Sequence, residues 1–360
     1  MSSDFTALLE QAGLDTRERG FWQRIVMVDN RGMLPIHWRD EADLMTLRGF
    51  NALVLDRRGV PTHYCKCRPP TREWIRQTEL CTRMSMEPEL RHVMPPARGV
   101  GSVDVHMSIS TYVPGRVLES TVSWMRPGKL GVALREILQA METISRHGAI
   151  ADPWFFRGQT HVNLAAEAEW AFDAIPSPLL APDQAAVVRE AIAVAGTVRR
   201  VLQHGDLWPR NILRHDGHWW LVDFDTFGRT QVPMYDAFHL VRGSWALRQG
   251  RLQRVAPWTQ SPVWLPRQSP SWIERLCSST TTNVDRRTLA WACVRHGLTR
   301  VEAVGTLAFY LIDMAARMYR RRLRLQYIET YLADLSALAD CLRAGETFAG
   351  AFGEEARQRV

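Results

Sequence analysis

The run His204-Gly205-Asp206-Leu207-Trp208-Pro209-Arg210-Asn211-Ile212-Leu213, followed closely by Leu221-Val222-Asp223-Phe224-Asp225, concentrates oxygen-bearing side chains in a short stretch. Phosphoryl transfer needs a carboxylate to orient or deprotonate an acceptor hydroxyl, and further oxygen ligands to hold magnesium between nucleotide phosphates. Asp206, Asn211 and Asp223 supply such a set. The residues between them say how they meet. Ile212 and Leu213, then His218 to Phe224, flank His215-Asp216-Gly217, and Asp-Gly between two apolar runs predicts a tight hairpin. The hairpin returns the chain from Asn211 to Asp223 and brings distant groups to one centre. Hard oxygen donors suit magnesium, not zinc. Cys65 and Cys67 are too close together and too few for a zinc site and read as packing residues.

The elements that must carry this centre follow from periodicity. Residues 1–28 read as a leading helical segment, with Phe5, Leu8, Leu9, Phe21, Trp22 and Ile25 at helical spacing. Residues 29–113 read as a small lobe. Within it Leu44 to Leu47, Asn51 to Leu55 and Thr62 to Cys67 are strand-like, Asp56-Arg57-Arg58-Gly59 is a turn, Thr71 caps a helix reaching Met84, and Val103 to Val113 is a further strand. Residues 114–345 read as a mainly helical lobe, with helical periods over Leu130 to His147, Leu164 to Ala174, Gln184 to Leu202 and Glu302 to Leu342. Inside it, 250–282 is a Pro/Ser/Trp-rich loop or cap, and 346–360 is a tail. The fold class expected is α+β and bilobal: an antiparallel-sheet lobe with one helix, then a larger helical lobe.

The two blocks resemble the aminoglycoside phosphotransferase and choline kinase group of small-molecule kinases, whose fold is similar to that of protein kinases. The group's pattern is H-G-D-x-x-x-x-N followed by D-[FW]-[DE], and Pro233-Met234-Tyr235-Asp236-Ala237 resembles the segment that opens its next helix. The resemblance spans about Asp43 to Leu342 and is specific in Gln203 to Ala237. It implies that Asp206 is the catalytic base and that Asn211 and Asp223 bind magnesium. For Asp225, a place on the second metal and a bracing role stand equal. It further implies a strand lysine, Lys66, on the nucleotide phosphates with Glu79 as its helix partner. Leu47 to Asn51, with Gly49 and Asn51, falls where the phosphate-covering loop belongs. Ser110 to Gly115, with Thr111 and Tyr112, looks like the adenine-binding hinge. Strand alternation puts Tyr64 beside Lys66, in position to stack on the base. Trp208 and Arg210 depart from the group's common His and Gly, which bears on the acceptor and leaves the chemistry intact.

Composition narrows the partners. The chain has 360 residues, 46% hydrophobic and 23% charged, so it folds around a sizeable core. The net charge of +7 fits anionic ligands but falls short of the basic stripe of a dedicated nucleic-acid binder. Scattered cysteines, no export signal and no apolar run long enough to span a bilayer lead to the expectation of a cytoplasmic protein with reduced thiols. The arginines from Arg317 to Arg324 are either a solvated helix face or a contact for an anionic surface. Trp258, Trp264 and Trp272 either line an acceptor pocket or anchor a core. The reading that joins these parts is an ATP- or GTP- and Mg²⁺-dependent phosphotransferase acting on a hydroxyl of a small molecule. Its rivals are a kinase of a protein or anionic glycolipid and an inactive nucleotide-binding scaffold. Tyr235-Asp236 favours the small-molecule branch, and an intact Asp206, Asn211, Asp223 and Lys66 speaks against the scaffold.

Overall fold

The computed structural model describes residues 3–18, 20–21, 24–29, 32–35, 50–101, 105–151, 158–176, 179–249, 252–253, 263–264, 271–277, 284–320, 325–346 and 348–352. In chain order, helix α1 (Ser3–Gln11) precedes strands β1 (Ile25–Asp29), β2 (Gly32–Pro35), β3 (Phe50–Leu55) and β4 (Pro61–Arg68). Helix α2 (Arg72–Ser85) and strands β5 (Ala97–Gly101) and β6 (His106–Thr111) complete the first lobe. The strands form one antiparallel sheet ordered β2-β1-β3-β4-β6-β5. Two expected features hold at the atomic level. Asp56 Oδ1 accepts from the amides of Arg58 and Val60 to close the β3–β4 turn, and Thr71 Oγ1 caps α2 by accepting from Trp74 N–H.

The leading segment differs from expectation. Its helix ends at Gln11, and Ile25 starts a strand paired with Val54 on β3, so residues 1–28 are not a helical segment. A partner strand far along the chain overrides local periodicity. Leu8, Leu9, Phe21 and Ile25 pack on Ala52, Val54, Cys65, Cys67, Met107 and Ile109, covering the outer face of the sheet. Alternation along β4 therefore buries Cys65 and Cys67 under α1 and turns Tyr64 and Lys66 to the opposite face, above the cleft. Strand β5 was absent from the sequence pattern, since its Arg98, Gly99 and Gly101 carry no apolar alternation. The expected strand Leu44 to Leu47 lies outside the described residues.

The second lobe runs β7 (Arg116–Val117), α3 (Pro127–Ala151), β8 (His161–Asn163), α4 (Leu164–Ala174), α5 (Pro182–Ala195), β9 (Thr197–Arg199), β10 (Ile212–His215), β11 (His218–Leu221) and α6 (Tyr235–Arg248). It continues with β12 (Leu252–Gln253), β13 (Val263–Trp264), α7 (Trp272–Cys277), α8 (Val284–His296), α9 (Arg300–Arg320), α10 (Leu325–Arg343) and α11 (Ala349–Phe352). The helix expected to reach Leu202 stops at Ala195, because Gly196 turns left-handed and Thr197–Arg199 pairs with His161–Asn163. The 250–282 stretch contains the β12–β13 pair and α7 and is not wholly loop. Trp272 is fully buried in the core, so it anchors packing and does not face an acceptor, while Trp258 lies outside the described residues. Of the arginine run, Arg317 pairs with buried Asp313 at 2.7 Å and Arg320 stacks on Trp170 at 4.7 Å, so both are engaged within the fold. Arg321, Arg322 and Arg324 lie outside the described residues.

Helix α6 is buried from Tyr235 to Ala246 and lies at the centre of this lobe. Tyr235 donates to Asp313 at 2.5 Å, and Arg242 pairs with Asp334 of α10 at 2.7 Å. Such buried groups require their partners, because an isolated charge in the interior costs several kcal/mol. These pairs therefore fix the rotation of α6, and with it the side chains aimed at the 204–211 loop.

Candidate active site

The loop from His204 to Asn211 is built on a buried carboxylate. Asp236, at the start of α6, accepts the amides of His204 (2.5 Å) and Gly205 (2.9 Å), and its own amide donates to Gln203 Oε1 (2.9 Å). Burial pushes Asp236 up to about 6. The buried His204 ring bonds the Val222 carbonyl at 3.0 Å, and Thr226 donates to the His204 carbonyl at 2.8 Å. Gly205 stands at φ +79°, where a Cβ would lie 2.9 Å from the Thr226 carbonyl oxygen. That position admits only glycine without displacement. The His-Gly pair thus locks the loop onto the turn that carries Asp223.

Two strands of the hairpin then bring the groups together. Asp216 and Gly217 both have positive φ, +48° and +80°, as a type I′ turn requires. Ile212 pairs with Leu221, and the Val222 amide donates to the Asn211 carbonyl at 3.0 Å. Asp206 is held at both oxygens: Asn211 Nδ2 donates to Oδ2 at 3.1 Å, and His239 Nε2 lies 3.2 Å from Oδ1. A carboxylate only accepts, so His239 carries its proton on Nε2, and Nδ1 accepts from the Tyr310 hydroxyl at 3.1 Å. Burial holds His239 below the usual histidine range, so it is a neutral donor at pH 7. Burial alone would raise Asp206, but the His239 bond and the Arg210 guanidinium at 3.6 Å outweigh it and hold the carboxyl well below the usual range. With its amide nitrogen spent on Asp206, Asn211 has its oxygen to offer a cation.

The sheet contributes the opposite wall. Lys66, 8% exposed, donates to Asp223 and, at 2.7 Å, to Asp225. Burial opposes its charge, yet the two carboxylates hold it above the usual lysine range. Asp223 lies below the usual carboxylate range, since Lys66 offsets its burial, and Asp225 lies above it because burial prevails. The ammonium acts as a stand-in cation and shows that this carboxylate pair accepts positive charge. Together with the Asn211 oxygen, the donors are hard and suit magnesium.

The structure does not bring Glu79 to Lys66. The buried stripe of α2 runs through Gln77, Thr78, Cys81 and Met84, and helix phase leaves Glu79 exposed. Gln77, Thr78 and Cys81 line the cleft on the α2 side, and Asp225 stands where a helix glutamate was expected to meet the lysine. Tyr64, Lys66, Thr111, Tyr112, Asn211, Asp223 and Asp225 line one cavity of about 260 Å³. Asn51 is the second residue of β3, opposite Lys66, and accepts from Arg68 at 2.8 Å, so it is a strand residue and not part of a loop. Gly49 lies outside the described residues. His239 and Tyr310 were missed by sequence reasoning. The available signal was that His239 follows Asp236 by one helical turn and so shares its loop-facing side.

Residues 88–266 match the profile of the phosphotransferase enzyme family. No curated protein matches the sequence. Among solved structures, a mutant aminoglycoside 2'-phosphotransferase-IIIa in complex with GDP is 15% identical with a TM-score of 0.51, over 94% of this chain and 98% of that one. A choline kinase from Cryptosporidium parvum Iowa II is 10% identical with a TM-score of 0.51, over 83% of this chain and 88% of that one. These likenesses show the fold: bilobal, α+β and protein-kinase-like.

Proposed function

Because the chain belongs to the phosphotransferase enzyme family and acts on a hydroxyl acceptor, we propose that its cleft binds ATP or GTP with Mg²⁺ and transfers the terminal phosphoryl group to a small sugar, amino sugar or amino alcohol. The observation that carries this reading is the Asn211 side chain, which bonds Asp206 on one side and lines the Lys66–Asp223 cavity on the other. It joins the acceptor end and the phosphate end of one cleft. The named ligand and activity of the two similar structures, GDP and choline phosphorylation, support both a purine nucleotide and a small alcohol.

In this reading Asp206 orients the acceptor hydroxyl and takes its proton as the new P–O bond forms and the bridging P–O bond of the nucleotide breaks, releasing the nucleoside diphosphate. His239 and Asn211 each bond one oxygen of Asp206, which fixes the plane of the carboxylate, and a remaining lone pair takes the acceptor proton. Asn211 and Asp223 would hold magnesium, which would supply positive charge against the phosphate oxygens. Lys66 gives up Asp223 for the nucleotide phosphates and keeps Asp225 as its anchor. Tyr64 lies against the purine. The Thr111 and Tyr112 amides are spent on the Pro96 and Thr62 carbonyls, so the base takes its backbone donor from Val113, which lines the same cavity.

The test is a panel of sugars, amino sugars and amino alcohols assayed for acceptor-dependent ADP or GDP release by the parent and by Asp206→Asn. The parent should turn over at least one acceptor. The variant should lose on the order of 10²–10⁴ in kcat while binding the magnesium nucleotide as the parent does. Equal kcat in the two proteins would overturn the assignment of Asp206.

A further inference from the structure

Cys277 closes α7, and Cys341 lies in the last turn of α10. Their sulfur atoms are in contact at 2.7 Å, and both residues are half-buried and within reach of solvent. The other cysteines, Cys65, Cys67, Cys81 and Cys293, are buried. A second tie runs along the same seam: the Trp272 amide, at the opposite end of α7, donates to Asp334 of α10 at 3.1 Å. The steps from 272 to 277 and from 334 to 341 climb about 8 Å and about 10 Å at the helical rise. The two helices therefore run side by side in the same direction, and the cysteine contact follows from their packing as a whole.

We infer that Cys277 and Cys341 form a reversible intrachain disulfide that staples α7 to α10 when the protein meets a low-molecular-weight disulfide such as oxidised glutathione. In the first step a cysteine thiolate attacks one glutathione sulfur and displaces a glutathione thiolate. The second cysteine thiolate then attacks the protein sulfur of the mixed disulfide and displaces the other. One S–S bond breaks and one forms. Two electrons and two protons pass from the protein thiols to two glutathione molecules.

The surroundings make this a cross-link and not a reactive nucleophile. Burial raises both thiols, and Glu346 adds to this for both, with Glu274 and Asp340 adding further for Cys341. Arg286 offsets only part of it at Cys277. The thiolate is therefore scarce, and contact between the two sulfurs favours ring closure over a lasting mixed disulfide. The bond closes a span of 64 residues that includes α8 and α9. It also clamps the seam whose Asp334 holds Arg242, on the helix that positions His239.

The experiment uses the full chain and does not depend on activity. Protein is incubated with oxidised glutathione, blocked with iodoacetamide, digested without reductant and mapped by mass spectrometry. A peptide pair joining 277 to 341, lighter than the two free thiol peptides by two hydrogens and released by dithiothreitol, is the expected result. It should be absent from Cys277→Ser and from Cys341→Ser. The oxidised parent should melt about 5–10 °C above the reduced parent. The double variant should melt alike with and without oxidant. Carbamidomethyl or glutathione adducts on both residues without the cross-link would overturn the inference, as would a cross-link that leaves the melting temperature unchanged.

Discussion

Replacing Gly205 with alanine should damage both the fold and the nucleotide site, by an amount that can be worked from the backbone. At φ +79° an L-residue costs about 1–2 kcal/mol, because its Cβ crowds the neighbouring carbonyl. The new Cβ would also sit 2.9 Å from the Thr226 carbonyl oxygen, which already accepts from the Arg229 amide at 3.1 Å. Backbone cannot rotate away as a side chain can, so overpacking adds about 1–2 kcal/mol. The sum, about 2–4 kcal/mol, corresponds to a fall in melting temperature of about 4–8 °C for a large domain. The turn that must shift carries Asp223, so magnesium-dependent nucleotide affinity should fall at least about tenfold. Gly217→Ala is the control: its φ is +80° with nothing within 4 Å of the added Cβ, so only the conformational cost applies. Calorimetric melting and titration with Mg-ATP, or Mg-GTP if that is the bound nucleotide, would compare the two variants. If Gly205→Ala melts with Gly217→Ala and binds the nucleotide like the parent, the interlock of residues 204–205 with Thr226 is not what holds Asp223.

The remaining predictions concern side chains. His239→Leu should lower kcat about 10–100-fold through loss of a hydrogen bond to a carboxylate, whereas His239→Gln, which keeps a donor near Nε2, should recover most of it; equal losses would reduce His239 to packing. Asp223→Asn should abolish magnesium-dependent nucleotide binding, while Asp225→Asn should weaken binding in a largely magnesium-independent way, as titrations with and without magnesium would show; the reverse pattern would exchange their roles. Because burial raises Asp236 to about 6, the folded state holds its proton more tightly than the unfolded chain, and stability from this group is present at low pH and lost as pH rises through about 6. The parent should therefore gain on Asp236→Asn by about 1.3 kcal/mol as pH falls from 7 to 5, the full shift of about 3 kcal/mol being reached only below about pH 4; a stability difference that is flat across this range would refute the shift.

The layout of the candidate site was legible in the linear order of residues because its determinants are local. Asp-Gly dictates the hairpin, the hairpin dictates that Asn211 approaches Asp223, and two-residue alternation along β4 dictates that Lys66 faces the cleft while Cys65 and Cys67 face the core. Helix phase was equally available, and it would have removed Glu79, which lies off the buried stripe of α2. Other features depend on contacts between distant segments. Ile25 becomes a strand because β3 lies beside it, and Trp272 becomes a core anchor because Asp334 of α10 holds its amide. His239 reaches Asp206 only because Tyr235 and Arg242 fix the rotation of α6 through Asp313 and Asp334, far along the chain. A motif records which groups can react, since bond chemistry is set by residue type. How Asp206 is turned toward an acceptor is set by the hydrogen bonds that reach its two oxygens from Asn211 and His239, and the second of these exists only once the second lobe has packed.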